Sequence, residues 1–382
     1  MSGSQTAAKP AGRFGLFIRS EFAVFFGLAT AAIFLALGNQ AVENIVRLYV
    51  LTPVFAWLFV GVLSSAISVV RHADQLALRC GEPYGTLILT LSAISIEVVM
   101  ISAAMLHGAN NPTLARDMMF AIIIIALNAM VGLSLLLGGL RHREQYYNLQ
   151  GTSAYLNTIM ALAVLGLVFP DFTRSTPTGT LSGVQQLFLA ITSLILYAVF
   201  LLIQTGRHSQ YFVEARSAGP AGASGHHEVA PMRSTAYHAG MLFLYLVVVV
   251  VLAEKLAIPL DNCIEHFGMP QALGGTIVAC LVLAPESLGG IKAAMANQLQ
   301  RSVNILHGSV LASIGLTIPA VLIISMMTKR PVTLGVQGGN LPLLLLTLAA
   351  SVVTFGGGRT SVLQGCIHLL LFAVFLLLIF CP

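Results

Sequence analysis

Long stretches of chain without a single charge decide what this sequence can become. Leu48–Val70 holds no Asp, Glu, Lys or Arg, and neither do Phe22–Leu37, Pro83–Ile96, Met118–Leu140 or Leu181–Gly206. Runs of about 20 apolar residues match the helix length that crosses about 30 Å of hydrocarbon. Inside lipid every backbone N–H and C=O must be paired within the chain, so such runs fold as helices. A large soluble helical protein would need polar faces toward water, and these runs leave almost none. Charged residues make up only 9% of the chain and hydrophobic ones 57%, against roughly 25% charged in a soluble domain. The fold class is therefore an all-α polytopic membrane protein.

Hydropathy gives about eleven spans, near residues 21–37, 48–70, 85–107, 117–139, 153–169, 184–204, 236–257, 272–291, 303–328, 341–355 and 361–381. The polar, basic N-terminus resembles a signal-peptide n-region, but no small-residue cleavage pattern follows, so the first run reads as a retained span. Between the sixth and seventh spans, Ala218–His227 is dense in Gly, Ala and Ser, a composition that buries no core and reads as a linker. The chain thus divides into an N-terminus with an extra first span (1–47), a first half (48–205), a linker (206–235) and a second half (236–382). The linker's His226-His227 pair reads as solvated histidines, not as a metal site.

The net charge of +5 does not point to nucleic acid, because there is no dense basic patch. Thirteen of the 19 Lys and Arg fall on the side of the N-terminus and six on the other, which predicts a cytoplasmic N-terminus and an extracytoplasmic C-terminus. The five cysteines form no CxxC or other metal-ligand spacing, and no cofactor is expected.

Two acids stand in the wrong solvent. Glu97 lies near the middle of the third span and Glu286 within the eighth. An acid at a span centre costs roughly 2.5–3.5 kcal/mol on insertion scales, so two of them call for a function or for structural hydrogen bonds to neighbouring helices. Their surroundings are alike. Gly85 and Gly274 each stand twelve residues before the acid, and Ser102-Ala-Ala-Met and Lys292-Ala-Ala-Met follow. Arg116 and Arg301 then start spans containing Val-Gly-Leu-Ser and Ile-Gly-Leu-Thr. The acids are five spans apart, and an odd separation makes their helices cross in opposite directions. The expected architecture is two inverted five-helix repeats after the extra N-terminal helix, with ion sites near the midplane.

Local chemistry fits a cation site. Pro285 frees a carbonyl about one turn earlier, and Gly289-Gly290 is expected to loosen the helix. Carboxylates and carbonyls are hard ligands suited to Ca²⁺ or Na⁺. Ser92, Ser95, Asn128, Ser287, Asn304, Ser309 and Ser313 are supporting polar candidates, although each hydroxyl has its own helix carbonyl as an alternative partner. A buried carboxylate that loses its cation tends to take up a proton. Cation and proton then compete for the same acids, which suffices for exchange. An intramembrane hydrolase built on His307, Ser309 and His368 would lack a nucleophile geometry and leave both acids unexplained.

Four segments carry a family resemblance. Gly81-Glu-Pro-Tyr-Gly-Thr-Leu-Ile-Leu-Thr-Leu-Ser through Glu97, and Leu283-Ala-Pro-Glu-Ser-Leu-Gly through His307-Gly-Ser, are similar to the two α-repeats of the calcium/proton exchangers. Gly138-Gly-Leu-Arg-His-Arg-Glu-Gln-Tyr-Tyr-Asn resembles the family's loop after the fourth span, and Leu196-Tyr-Ala-Val-Phe-Leu-Leu-Ile-Gln the end of its sixth. In this order they resemble the calcium/cation antiporter superfamily, most closely its bacterial sodium–calcium/proton antiporter branch. The resemblance implies eleven spans, inverted repeats, a bacterial inner (cytoplasmic) membrane, and Glu97 and Glu286 as alternating Ca²⁺ and H⁺ sites. Cations, protons and the bilayer are then the partners. Many members carry Gly-Asn four and three residues before each acid, where this chain has Ala93-Ile94 and Val282-Leu283, and many carry His where this chain has Ser287. Two amide ligands are missing, which leaves Na⁺ or K⁺ exchange as the alternative to Ca²⁺.

Overall fold

The structure is a computed structural model that describes residues 21–43, 48–80, 84–107, 112–213 and 233–381. The N-terminal segment, Gly81–Pro83 and the linker's Ala218–His227 lie outside the described residues. The helices are α1 (Phe22–Glu43), α2 (Leu48–Cys80), α3 (Tyr84–His107), α4 (Leu114–His142), α5 (Leu149–Phe172), α6 (Gly183–Arg207), α7 (Thr235–His266), α8 (Ala272–Met295), α9 (Leu299–Thr328), α10 (Asn340–Thr354) and α11 (Val362–Phe380). Among the described residues, eight helices are long and apolar enough to cross a membrane, and α1, α3 and α10 contribute shorter apolar stretches.

Most boundaries fall within a few residues of the hydropathy reading; α2 and α7 run longer. α2 continues past Val70 to Cys80, and the added turns carry Arg71, His72, Asp74 and Arg79. They stay helical because polar partners hold them. Arg71 bonds Glu21 at 2.6 Å, and the His72 ring meets Glu21 at 3.3 Å and His238 of α7 at 3.0 Å. Glu21 also accepts from the hydroxyls of Tyr237 at 2.7 Å and Tyr245 at 3.0 Å. This polar knot ties the start of α1 to α2 and α7.

Burial sorts the helices. Residues 121–128 of α4 are at most 1% exposed, so protein surrounds this helix on every side. α6 and α11 instead present Phe188, Ile195, Leu202, Leu370 and Leu377 outward, side chains suited to lipid. α8 packs on α4, α9 and α2, while α3 packs on α2, α7 and the middle of α9. The two acid-bearing helices therefore lie inside the bundle.

The loosening of α8 expected at Gly289-Gly290 does not occur: the helix is continuous through them, with Pro285 inside it. Its glycines serve close approach: a Cβ on Gly290 would come within 2.8 Å of Leu306 in α9, and one on Gly275 within 2.8 Å of the Met118 backbone nitrogen in α4. Irregular backbone sits in the partner helices, as π-helical turns at Ile125–Met130 of α4 and Ser313–Thr317 of α9. Such turns are frequent at functional positions.

The loop after α4 clamps the α8–α9 corner. Two short strands, β1 (Gln145–Tyr146) and β2 (Arg359–Thr360), pair antiparallel. Gln145 is buried and donates to the Ala294 carbonyl at the end of α8 (2.8 Å), and Gln300 of α9 accepts from the Asn148 backbone (2.7 Å). The Asn148 side chain also caps the start of α5.

Candidate functional site

Glu97 and Glu286 line one cavity of about 480 Å³. Glu97 comes from the middle of α3 and is 1% exposed; Glu286 is half-buried. The carboxyls are near enough for their charges to interact. α9 closes the cavity opposite them. Its π-helical turn aims the Ser313 hydroxyl at Glu97, donating to Oε2 at 2.5 Å, and the Thr317 hydroxyl of the same turn is buried without a hydrogen-bond partner among the described residues. Glu97 Oε1 and Glu286 Oε2 are buried without a hydrogen-bond partner among the described residues. Buried polar atoms are nearly always paired, so each oxygen is available to a cation or a proton.

The cavity gathers some of the polar candidates and leaves others aside. Asn304, Ser309 and Ser313 line it. Ser92, Ser95 and Ser287 bond the carbonyls of Ile88, Leu91 and Leu283, each four residues earlier, and do not line it. Asn128 sits elsewhere: it donates to Thr347 of α10 (2.8 Å) and its carbonyl meets His368 of α11 (3.0 Å), whose other ring nitrogen meets Thr354. That buried network pins the π-helical turn of α4 to α10 and α11. Asn304 bonds Gln300 and the Phe212 carbonyl, so it shapes the wall as much as it offers a ligand.

Ala93 and Ile94, ahead of the first acid, and Val282, ahead of the second, also line the cavity. Where amides could have offered oxygens, the wall is apolar. Toward one end the lining turns polar, with Asp74 of α2, Gln204 and Thr205 of α6, Ser209, and Arg301 of α9. Sequence reasoning missed Asp74 and Arg301 because they stand at span ends, where charges are ordinary. The longer α2 is what brings Asp74 to the cavity.

The profile of the sodium/calcium exchanger protein family matches residues 50–206 and 237–381, a range that holds both acids. The chain belongs to this family. It thus lies within the calcium/cation antiporter superfamily, and the exchanger is a multi-pass membrane protein. It is 40% identical over 357 residues to the sodium-potassium/proton antiporter ChaA of Escherichia coli (strain K12), covering 94% of this chain and 95% of that one. It is 24% identical over 319 residues to a Ca(2+)/H(+) antiporter of Aphanothece halophytica, covering 79% and 83% respectively. The structure of native YfkE superposes with a TM-score of 0.72 at 18% identity, over 95% of the exchanger and 99% of that chain. That likeness fixes the fold.

Proposed function

We propose that the chain is a cation/proton antiporter in which the cation and protons compete for Glu97 and Glu286. The observation that carries this is the shared cavity: two membrane-depth carboxylates face one space, each with a buried oxygen that has no hydrogen-bond partner among the described residues. A bound cation neutralises the pair; when it leaves, protons do so, because an isolated buried charge is far costlier than a neutral acid. Neither substrate leaves without the other being favoured, and the fluxes are coupled.

Among cations, the reading best supported is Na⁺ or K⁺. Ca²⁺ takes about 6–8 oxygen ligands, and the apolar Ala93, Ile94 and Val282 walls leave the carboxylates with few companions. The relative at 40% identity carries a sodium-potassium/proton name. Ca²⁺ is the second reading, supported by the charge of two carboxylates in one cavity, which suits a divalent ion, and by the Ca(2+)/H(+) name of the 24% relative. The proposed arrangement is eleven spans with two inverted five-helix repeats after α1, and a cytoplasmic N-terminus in a bacterial inner membrane. The test is ion-by-ion transport in proteoliposomes with a proton-sensing dye. Dissipation of a proton gradient on adding K⁺ or Na⁺, with a weaker response to Ca²⁺, supports the first reading; the reverse order supports the second; silence with all three removes antiport.

A further inference from the structure

We propose that Asp74 is the outer docking residue for the transported cation, and that Arg301, across the cavity mouth, sets how strongly it docks. The inference rests on the antiport reading and adds a residue and a step to it.

Three carboxylates line the same cavity, and their exposure falls in order: Asp74 is exposed, Glu286 half-buried and Glu97 1% exposed. The neutral polar lining follows the same path. Gln204, Thr205, Ser209 and Asn304 belong to helix ends and their flanks near the mouth, and Ser309 and Ser313 lie deeper along α9. A cation leaving bulk water thus meets a hydrated carboxylate first and a desolvated one last, which spreads its dehydration over several contacts.

Arg301 makes the outer position selective. It stands one turn below Asn304 on α9 and lines the cavity with Asp74. Its charge reaches Asp74, yet no ion pair within 4 Å joins them among the described residues. Its guanidinium rests instead 3.5 Å from Gln298. Among the described residues no hydrogen bond gives Asp74 a structural role: it is exposed and lines the cavity with a cation that does not neutralise it by contact. A low-dielectric cleft carrying one sign of charge concentrates the opposite ion, and a positive group at the rim tempers that field.

The experiment uses purified full-length chain in proteoliposomes, with initial proton flux measured against K⁺, Na⁺ and Ca²⁺ concentration. Wild type is assayed first; if it moves no protons with any cation, the antiport reading itself fails. With wild type active, Asp74→Asn is expected to raise the half-saturating cation concentration about fivefold, the scale of removing one charge a few ångströms away in a hydrated mouth, with a smaller effect on the maximal rate. Asp74→Glu should restore it, and Arg301→Gln should lower it. All three differences should shrink when choline chloride raises the ionic strength, because screening acts most on exposed charges. An unchanged half-saturating concentration in Asp74→Asn, or a loss confined to the maximal rate, overturns the proposal while leaving the inner site standing.

Discussion

Ser313 donates a 2.5 Å hydrogen bond to Glu97 across 216 positions of sequence, joining the π-helical turn of α9 to the middle of α3. A helix of the second half thereby supplies the partner for the acid of the first. A hydrogen bond to a charged group is worth about 1.5–3 kcal/mol. Ser313→Ala should therefore weaken cation binding by about tenfold or more while the chain still inserts. Ser313→Thr keeps the hydroxyl and should recover most of the loss. The measurement is the half-saturating cation concentration in proteoliposomes, and equal values for wild type and Ser313→Ala would show that this contact does not serve the ion.

Replacing either acid by its amide separates charge from shape. Glu97→Gln and Glu286→Gln keep side-chain volume and lose the carboxylate for which the proposed exchange has cation and proton compete. Both should abolish cation-driven proton flux in everted vesicles at normal expression. Near-wild-type flux in both variants would remove the shared-site mechanism.

The basic residues give a test of orientation. With eleven spans, thirteen of the 19 Lys and Arg fall on the side of the N-terminus, so reporter tags at the N-terminus and within the Ala218–Gly225 segment should be cytoplasmic and a C-terminal tag extracytoplasmic. A cytoplasmic C-terminal tag would make the number of spans even and break the inverted-repeat argument.

Glu21, immediately ahead of α1, gives a pH dependence whose sign can be worked out. Burial alone would raise its pKa, but the Tyr237 hydroxyl, Arg71 and His72 together hold the carboxyl below the usual range. A depressed folded-state value contributes stability above the unfolded-state pKa, and that stability is lost as pH falls through the folded one. Thermal stability in detergent should thus gain from Glu21 at neutral pH and lose that gain on acidification below about pH 4.5, the carboxyl's ordinary value. Glu21→Gln should be less stable at pH 7 and should flatten this acid limb. A limb of unchanged slope would assign the acid loss to other carboxylates.

The sequence made the helices and the two acids legible because lipid enforces both. An uncharged run must become a helix, and an intramembrane carboxylate stands out against it. The cavity wall was only partly legible. Ser313, Ser309 and Asn304 share α9 with the cavity, whereas Asn128, equally polar and equally deep in sequence terms, turns to Thr347 and His368. Hydropathy does not encode which way a side chain turns around a helix buried on all sides. Asp74 escaped for a different reason: α2 extends beyond its apolar run, held by polar contacts to Glu21 and His238, which composition does not reveal.

The ion can be shifted by restoring an oxygen. Ile94 and Leu283 stand at equivalent positions, three residues before each acid, where an amide would be a cation ligand. Their surroundings differ. Ile94 lines the cavity, so Ile94→Asn places an amide oxygen beside Glu97. Leu283 is 2% exposed within the apolar core and does not line the cavity, so Leu283→Asn buries an amide without a partner, at about 1–3 kcal/mol. Ile94→Asn should move the preference from K⁺ and Na⁺ toward Ca²⁺ by about tenfold, the worth of one good hard-oxygen contact near 1.4 kcal/mol. Leu283→Asn should mainly lower yield and thermal stability. The check is the ratio of initial proton flux with Ca²⁺ to that with K⁺ in proteoliposomes, alongside the melting temperature of each variant. If Ile94→Asn folds normally and leaves that ratio unchanged, the apolar wall is not what limits Ca²⁺ at this site.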